Sequence, residues 1–315
     1  MRPLSLGTRE RAAALALGVL LVILAVAAPA FFSPDNLRDV LMANAAVQII
    51  ALGMTLVVLT GEVDVSVGAT FAVCAVVAGA LARDGAGMPV AMLAAVAIGG
   101  LVGLTNGTLV GAMGLPSIVV TLAMLAILRD ALRWTTEGAW VRDLPPGFQW
   151  FGLGQEYGRL VVIGSVIALI AFVGWVLHRV AAGRAVYATG SDRESAHLSG
   201  LAPRAVIVSV FVICGVLTGV AAVLNAIRFA EVQGAVIAGL ELKVIAAVIV
   251  GGAAISGGRG SILGTVVGVV LLGTIGTGLT FLGISAYWER ALQGAIILAA
   301  IAADRVTSRR ARDVA

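Results

Sequence analysis

Eight stretches of 15 residues or more contain no charged residue: 12–34, 40–61, 65–82, 85–128, 160–177, 205–227, 244–258 and 260–288. About 20 apolar residues cross a bilayer as a helix, and 85–128 is long enough for two. Strict apolar–polar alternation, the mark of a transmembrane barrel strand, is missing from these runs. Breaking them at Pro, Gly and charged positions predicts ten spans, roughly 12–32, 40–60, 66–82, 88–112, 116–134, 160–178, 204–226, 241–256, 261–281 and 286–303. Two of these, 66–82 and 241–256, are short and bounded by glycine, which makes them candidates for re-entrant or broken helices. The fold class expected is all-α: a polytopic transmembrane helical bundle of about ten spans, with residues 1–315 as one domain. A polar island interrupts it at 183–203, which carries Arg184, Asp192, Arg193, Glu194 and His197.

Composition agrees with the pattern. Of 315 residues 60% are hydrophobic and 12% charged, where soluble domains carry about 25% charged residues. Forty glycines point to closely approaching helices, since small residues drive packing in lipid. The first apolar run, preceded by Arg2, Arg9 and Arg11 and ending in AVAAPA, imitates a signal peptide. It is about twice the usual apolar length, so an uncleaved first helix is expected. Cys74 and Cys214 lie inside apolar runs, so neither a structural disulfide nor a metal site is expected.

With the N-terminus in the cytoplasm, ten crossings return the C-terminus there, with 305–315 as a cytoplasmic tail. Twelve of the 21 Lys and Arg then lie inside and nine outside, the bias the positive-inside rule asks for. The net charge of +4 is scattered over short loops, so it reads as topology and not as a nucleic-acid surface. This orientation places 183–203 in the cytoplasm, because ionic groups are costly in the bilayer core.

Candidate chemistry falls in four places. Two interruptions, GEVDVSVG at 61–68 and GGAAISGGRGS at 251–261, share Gly61/Gly251, Ser66/Ser256 and Gly68/Gly258 at an offset of 190. Such breaks either face a solute cavity or are tight inner turns, and Glu62 and Asp64 either meet a solute or cap a turn. The polar residues Asn44, Gln48, Thr55, Asn106, Thr121 and Asn225 fall within spans. Each either lines a solute path or bonds neighbouring helices. No acidic residue falls firmly mid-span, which argues against a proton-relay pump. The longest outer segment, 134–158, carries Trp134, Trp140 and Trp150, either as an interfacial belt or as an external docking surface or solute gate. Finally, 251–261 has no Lys-Ser/Thr pair after its glycines, so it is not a phosphate loop. ATP-driven work would need another subunit.

The ordered set of motifs resembles the permease subunits of ATP-binding-cassette sugar importers, the group serving ribose, xylose, rhamnose and furanosyl signalling sugars. Gly61–Gly68 is similar to the family's GG-I-D-L-S-V-G turn, with Glu62 in place of the usual glycine. Asn106–Val110 resembles N-G-x-L-V, and Pro116–Leu122 followed by Leu128-Arg129-Asp130 continues the match. Gly183–Gly190 is similar to G-R-x-x-Y-A-x-G, Glu194–Gly200 to the E-A-A-x-x-x-G coupling motif, and Ser256–Ser261 to S-G-G-x-G-S.

The resemblance implies a non-enzymatic permease of the bacterial cytoplasmic (inner) membrane. Its partners would be a cytoplasmic ABC ATPase that binds the ATP, a periplasmic or extracellular sugar-binding protein, and a second permease copy or paralogue. A short helix near 192–200 would dock in the ATPase, with Asp192, Arg193 and Glu194 supplying charge and Ala196 and Gly200 keeping one face thin. The solute would be a pentose or deoxyhexose, with the wording of 116–151 leaning towards rhamnose. The alternatives are an ion-driven secondary transporter and a membrane-embedded enzyme; for the latter, no convergent carboxylates, metal ligands or nucleophile–base pair stand out.

Overall fold

The fold is taken from a computed structural model, which describes residues 8–236, 239–285, and 288, 291, 292, 294, 295 and 298. Eleven α-helices of six residues or more run through these residues. They are α1 (Thr8–Ala27), α2 (Pro34–Leu59), α3 (Val67–Arg83), α4 (Met88–Gly107), α5 (Ser117–Thr136), α6 (Gln155–Arg179), α7 (Ala181–Ser191), α8 (Arg193–Leu198), α9 (Pro203–Ala226), α10 (Leu240–Val250) and α11 (Ile262–Phe281). No strand forms among the described residues; Val141 and Val232 make an isolated antiparallel bridge. Among the described residues six helices are long and apolar enough to cross a membrane: α1, α2, α4 with its π-helical extension to Ala112, α6, α9 and α11.

Each of the first nine predicted spans coincides with a helix, but α3, α5 and α10 are not among the six that can cross by length and composition. Where 241–256 was expected to span, α10 ends at Val250 after 11 residues, about 16 Å of rise against a core of about 30 Å. Gly251 and Gly252 end it, the latter with φ +101°, inside what composition alone reads as one apolar run. The tenth span, 286–303, lies largely outside the described residues, as does the tail 305–315.

The core of the bundle is α2, buried from Ala45 to Leu59, with α6, α9, α10 and α11 against it, and α3 and α4 packed on α9 beyond. α4 and α9 pack along their length through glycine. A Cβ at Gly99 would strike the Gly215 carbonyl and one at Gly103 the Phe211 carbonyl. Without a hydrophobic drive between helices in lipid, such backbone approach supplies the packing energy. α1, α5 and α6 stand outermost and expose large apolar residues such as Leu15, Ile118, Leu122, Ile167 and Phe172.

Candidate functional site

The polar island folds into α7 and α8, separated by Asp192 in extended backbone (φ −162°, ψ 111°). Asp192 Oδ1 accepts the N–H of Glu194 at 2.9 Å and of Ser195 at 3.0 Å, and Oδ2 accepts the Ser195 hydroxyl at 2.9 Å. The backbone bond from Ser195, then its hydroxyl, hold the Asp192 carboxyl below its ordinary pKa because they favour the charged form. α8 therefore starts with satisfied donors, although it is short and exposed.

The two small residues of α8 act differently from the sequence reading, in which both thin a docking face. Ala196 is buried, 4% exposed, so it seats α8 on the bundle. Gly200 takes φ +82°, a left-handed conformation that glycine adopts without strain. Its N–H reaches the His197 carbonyl at 2.9 Å, and that of Leu201 reaches Ala196 at 3.1 Å, so Gly200 terminates the helix. The outward side carries Glu194, His197 and Leu198. Leu198 is 80% exposed and was missed by a reading that followed charge; the one leucine inside the charged stretch 192–199 was the available signal.

Arg193 turns inward. Its guanidinium pairs with Glu62 and also donates to the Thr60 carbonyl at 3.4 Å. Beside it, Gly190 lies so close to Leu59 that a Cβ would overlap the Leu59 carbonyl. That same carbonyl accepts the Gly258 N–H at 2.9 Å. The Tyr187 hydroxyl donates to the Gly260 carbonyl at 2.9 Å, and the Ser261 hydroxyl bonds Glu10 at the start of α1. One end of the bundle thus gathers the start of α1, the turn 60–66, α7–α8 and the loop 251–261; both interruptions singled out by sequence meet there.

From that end the turn 60–66 runs into the bundle. Asp64, 3% exposed, accepts the Ser66 N–H at 2.8 Å and its hydroxyl at 2.6 Å. Asn106 of α4 donates to the same hydroxyl at 2.9 Å. Ser117 of α5 accepts the Val63 N–H at 3.3 Å, and Thr121 donates to the Val63 carbonyl at 3.4 Å. Asp64, Asn106 and Thr121, far apart in sequence, therefore form one buried polar seam. Asp64 holds the turn ahead of α3 through Ser66, its carboxylate buried between α2 and α3 and not within a helix.

The opposite end holds an open cavity of about 600 Å³, lined by Ala43, Phe71, Ala72, Trp140, Asn225, Arg228, Glu231 and Gln233 among others. Its rim is built by pairing 141–150 with 227–234. Val141 and Val232 exchange backbone bonds, Trp150 N–H donates to the Ile227 carbonyl at 2.8 Å, and Arg142 pairs with Glu231 at 2.9 Å. Arg228, half-buried, donates to the Met42 carbonyl at 2.7 Å and to Asn225 Oδ1 at 3.3 Å and lies 5.4 Å from the centre of the Phe229 ring. Trp140 and Asn225 are the sequence candidates that line this cavity. Trp150 packs on Gly158 instead, and Trp134 is 83% exposed away from it. Asn44 lies against Gly273 of α11, and Gln48, one turn on, is buried in α2. Thr55 bonds Thr265 of α11 at 2.7 Å, so it is helix-to-helix glue. Among the described residues no cluster of His, Cys, Asp and Glu forms a metal site, and both cysteines are buried and free.

Residues 36–301 match the family described as branched-chain amino acid transport system / permease component. The chain is 33% identical over 303 residues to the ribose import permease protein RbsC of Escherichia coli (strain K12), covering 94% of this chain and 93% of that one. It is also 33% identical over 299 residues to the autoinducer 2 import system permease protein LsrC of Enterobacter sp. (strain 638), covering 95% and 87%. No solved structure matches.

Proposed function

Because the chain belongs to the permease family described as branched-chain amino acid transport system / permease component, we propose that it is the translocating subunit of an ATP-driven sugar importer in the inner membrane. What carries the sugar reading over an amino acid is near full-length similarity to permeases named for ribose and autoinducer 2. The solute class is a pentose or deoxyhexose. The name of the ribose relative favours a pentose; rhamnose rests on the wording of 116–151 alone.

In this reading the end that carries α7–α8 is cytoplasmic, in line with the positive-inside bias, and both termini lie on that side. A separate ABC ATPase, which binds and hydrolyses the ATP, docks on the outward side of α8 through Asp192, Glu194, His197 and Leu198. The cavity end faces outwards and receives sugar from an external binding protein, with Trp134 and the 134–158 segment at that surface. A second permease, identical or paralogous, completes the pathway. When the ATPase closes on ATP, it moves α8 with the bundle end as a rigid body and switches which side of the pathway is open. Along it, Trp140 offers an aromatic face to sugar CH groups. Asn225, held by Arg228, offers an amide to hydroxyls. Asn44, Gln48 and the seam of Asp64, Asn106 and Thr121 are polar stations further in.

Replacing Asn225 by Ala removes a hydrogen bond to solute worth about 1–1.5 kcal/mol, so the apparent affinity for transported ribose is expected to fall about tenfold, as is that of Trp140→Ala. Uptake titrations of labelled ribose, with unlabelled leucine as competitor, check both claims. Competition by leucine with no competition by sugars would move the substrate to the amino acids.

The buried Asp64 favours one other reading, an ion-driven transporter acting alone. Isolation of the membrane complex through a tag on this chain separates the two. A stoichiometric ATPase subunit and a soluble sugar-binding protein in the complex support the importer. Sugar transport by the chain alone in ion-gradient proteoliposomes refutes it.

A further inference from the structure

Between α7 and α8 the helical path is broken at one extended residue, Asp192, so the two are separate helices with separate ties to the bundle. α7 is pressed on α2 at Gly190 and Leu59. α8 has its own tie, the Arg193 guanidinium on Glu62 and on the Thr60 carbonyl. Glu62 is 8% exposed. Only the carboxylate end of the pair is buried; the Arg193 side chain is half exposed, so the guanidinium supplies from the surface the opposite charge that a buried carboxylate needs.

The turn that Glu62 belongs to reaches α5 through Val63, bonded by Ser117 and Thr121, and reaches α4 through Ser66, bonded by Asn106. We propose that the Arg193–Glu62 pair is the transmission link through which movement of α8 is delivered to the turn 60–66 and thence to α4 and α5. This rests on the reading of α8 as the ATPase-docking helix. Glu62 is then a positioning residue: it touches neither ATPase nor solute, and it fixes how far the turn follows α8. The turn motif that this chain resembles has glycine at that position, so the link is a device of this chain and not a requirement of the turn. One guanidinium nitrogen makes both bonds, to the Glu62 carboxylate and to the Thr60 carbonyl, so the tie joins α8 to the turn at a single charge-assisted point.

The test uses the complex isolated through a tag on this chain and placed in nanodiscs. Hydrogen exchange of the peptide covering 60–66 is followed with and without a non-hydrolysable ATP analogue. In the wild type the analogue is expected to change the exchange rate about tenfold. Glu62→Gln should retain ATPase stoichiometry but lose that response, and Arg193→Gln should lose the response too. The charge swap Glu62→Arg with Arg193→Glu should recover much of it, the signature of direct coupling. Glu62→Gly, the residue of the resembled motif, serves if Glu62→Gln does not assemble, with the same expectation. A wild-type response in Glu62→Gln or Glu62→Gly overturns the link, as does failure of the swap to restore it. Loss of ATPase from Glu62→Gln would make Glu62 a docking residue and likewise overturn it. A wild-type preparation without any ATPase would instead overturn the docking reading on which the link rests.

Discussion

Leu198→Asp combined with Glu194→Arg is expected to abolish ATP-driven uptake while leaving the permease folded and inserted. Leu198 is 80% exposed, so the change removes no internal packing. Glu194 gives α8 only its backbone N–H, to Asp192, which the substitution preserves. What changes is the surface offered to the ATPase. Truncating an anchor at the centre of an interface costs about 2 kcal/mol or more, about thirtyfold in affinity. Here a charge that must be stripped of water replaces the anchor, and a second charge is reversed, so like charges oppose docking. Co-purification with the ATPase, at unchanged monodispersity of the permease, is the measurement. An ATPase retained at wild-type stoichiometry would contradict the role given to α8.

The second large effect is structural. Gly103→Leu is expected to cost about 3 kcal/mol or more, at the top of the range for overpacking. The obstacle is the Phe211 backbone carbonyl, which cannot step aside as a side chain tip would. The melting midpoint in detergent should fall by roughly 5–10 °C, and Gly99→Leu with Gly103→Leu should yield no monodisperse protein. Gly164→Leu on α6 is the control, since a side chain there meets open space and should leave the midpoint unchanged. Equal effects at Gly103 and Gly164 would contradict the α4–α9 contact.

The helices were legible because lipid enforces them: an uncharged run bounded by Pro, Gly or charge is a helix almost regardless of context. The early end of α10 was legible only through glycine, which marked 241–256 as a candidate broken helix. Gly251 and Gly252 stop the helix within the apolar run 244–258, and hydropathy cannot register a stop that costs no charge. The polar island was legible as a unit, but the capping by Asp192 was not read, because Asp192 was taken as a charge on the docking helix. Nor was the island's inward face. The Arg193–Glu62 pair joins positions 131 apart, and nothing local distinguishes an arginine that turns inward from one that meets a partner protein. Ala196 was read as part of a docking face because burial depends on how α8 is laid on the bundle. At the far end, Trp140 and Asn225 were found by residue type, but Arg228 and Phe71 were not. The place of Arg228 follows from the pairing of 141–150 with 227–234, and that of Phe71 from how α3 is laid against this rim, long-range events without local signature.

The account stands on energy that enters at α8 from an ATPase outside this chain. Uptake of labelled sugar into right-side-out vesicles loaded with ATP, with and without a protonophore, tests this most directly. Uptake that requires ATP and survives the protonophore is the predicted result; uptake that proceeds without ATP and collapses with the proton gradient would contradict it.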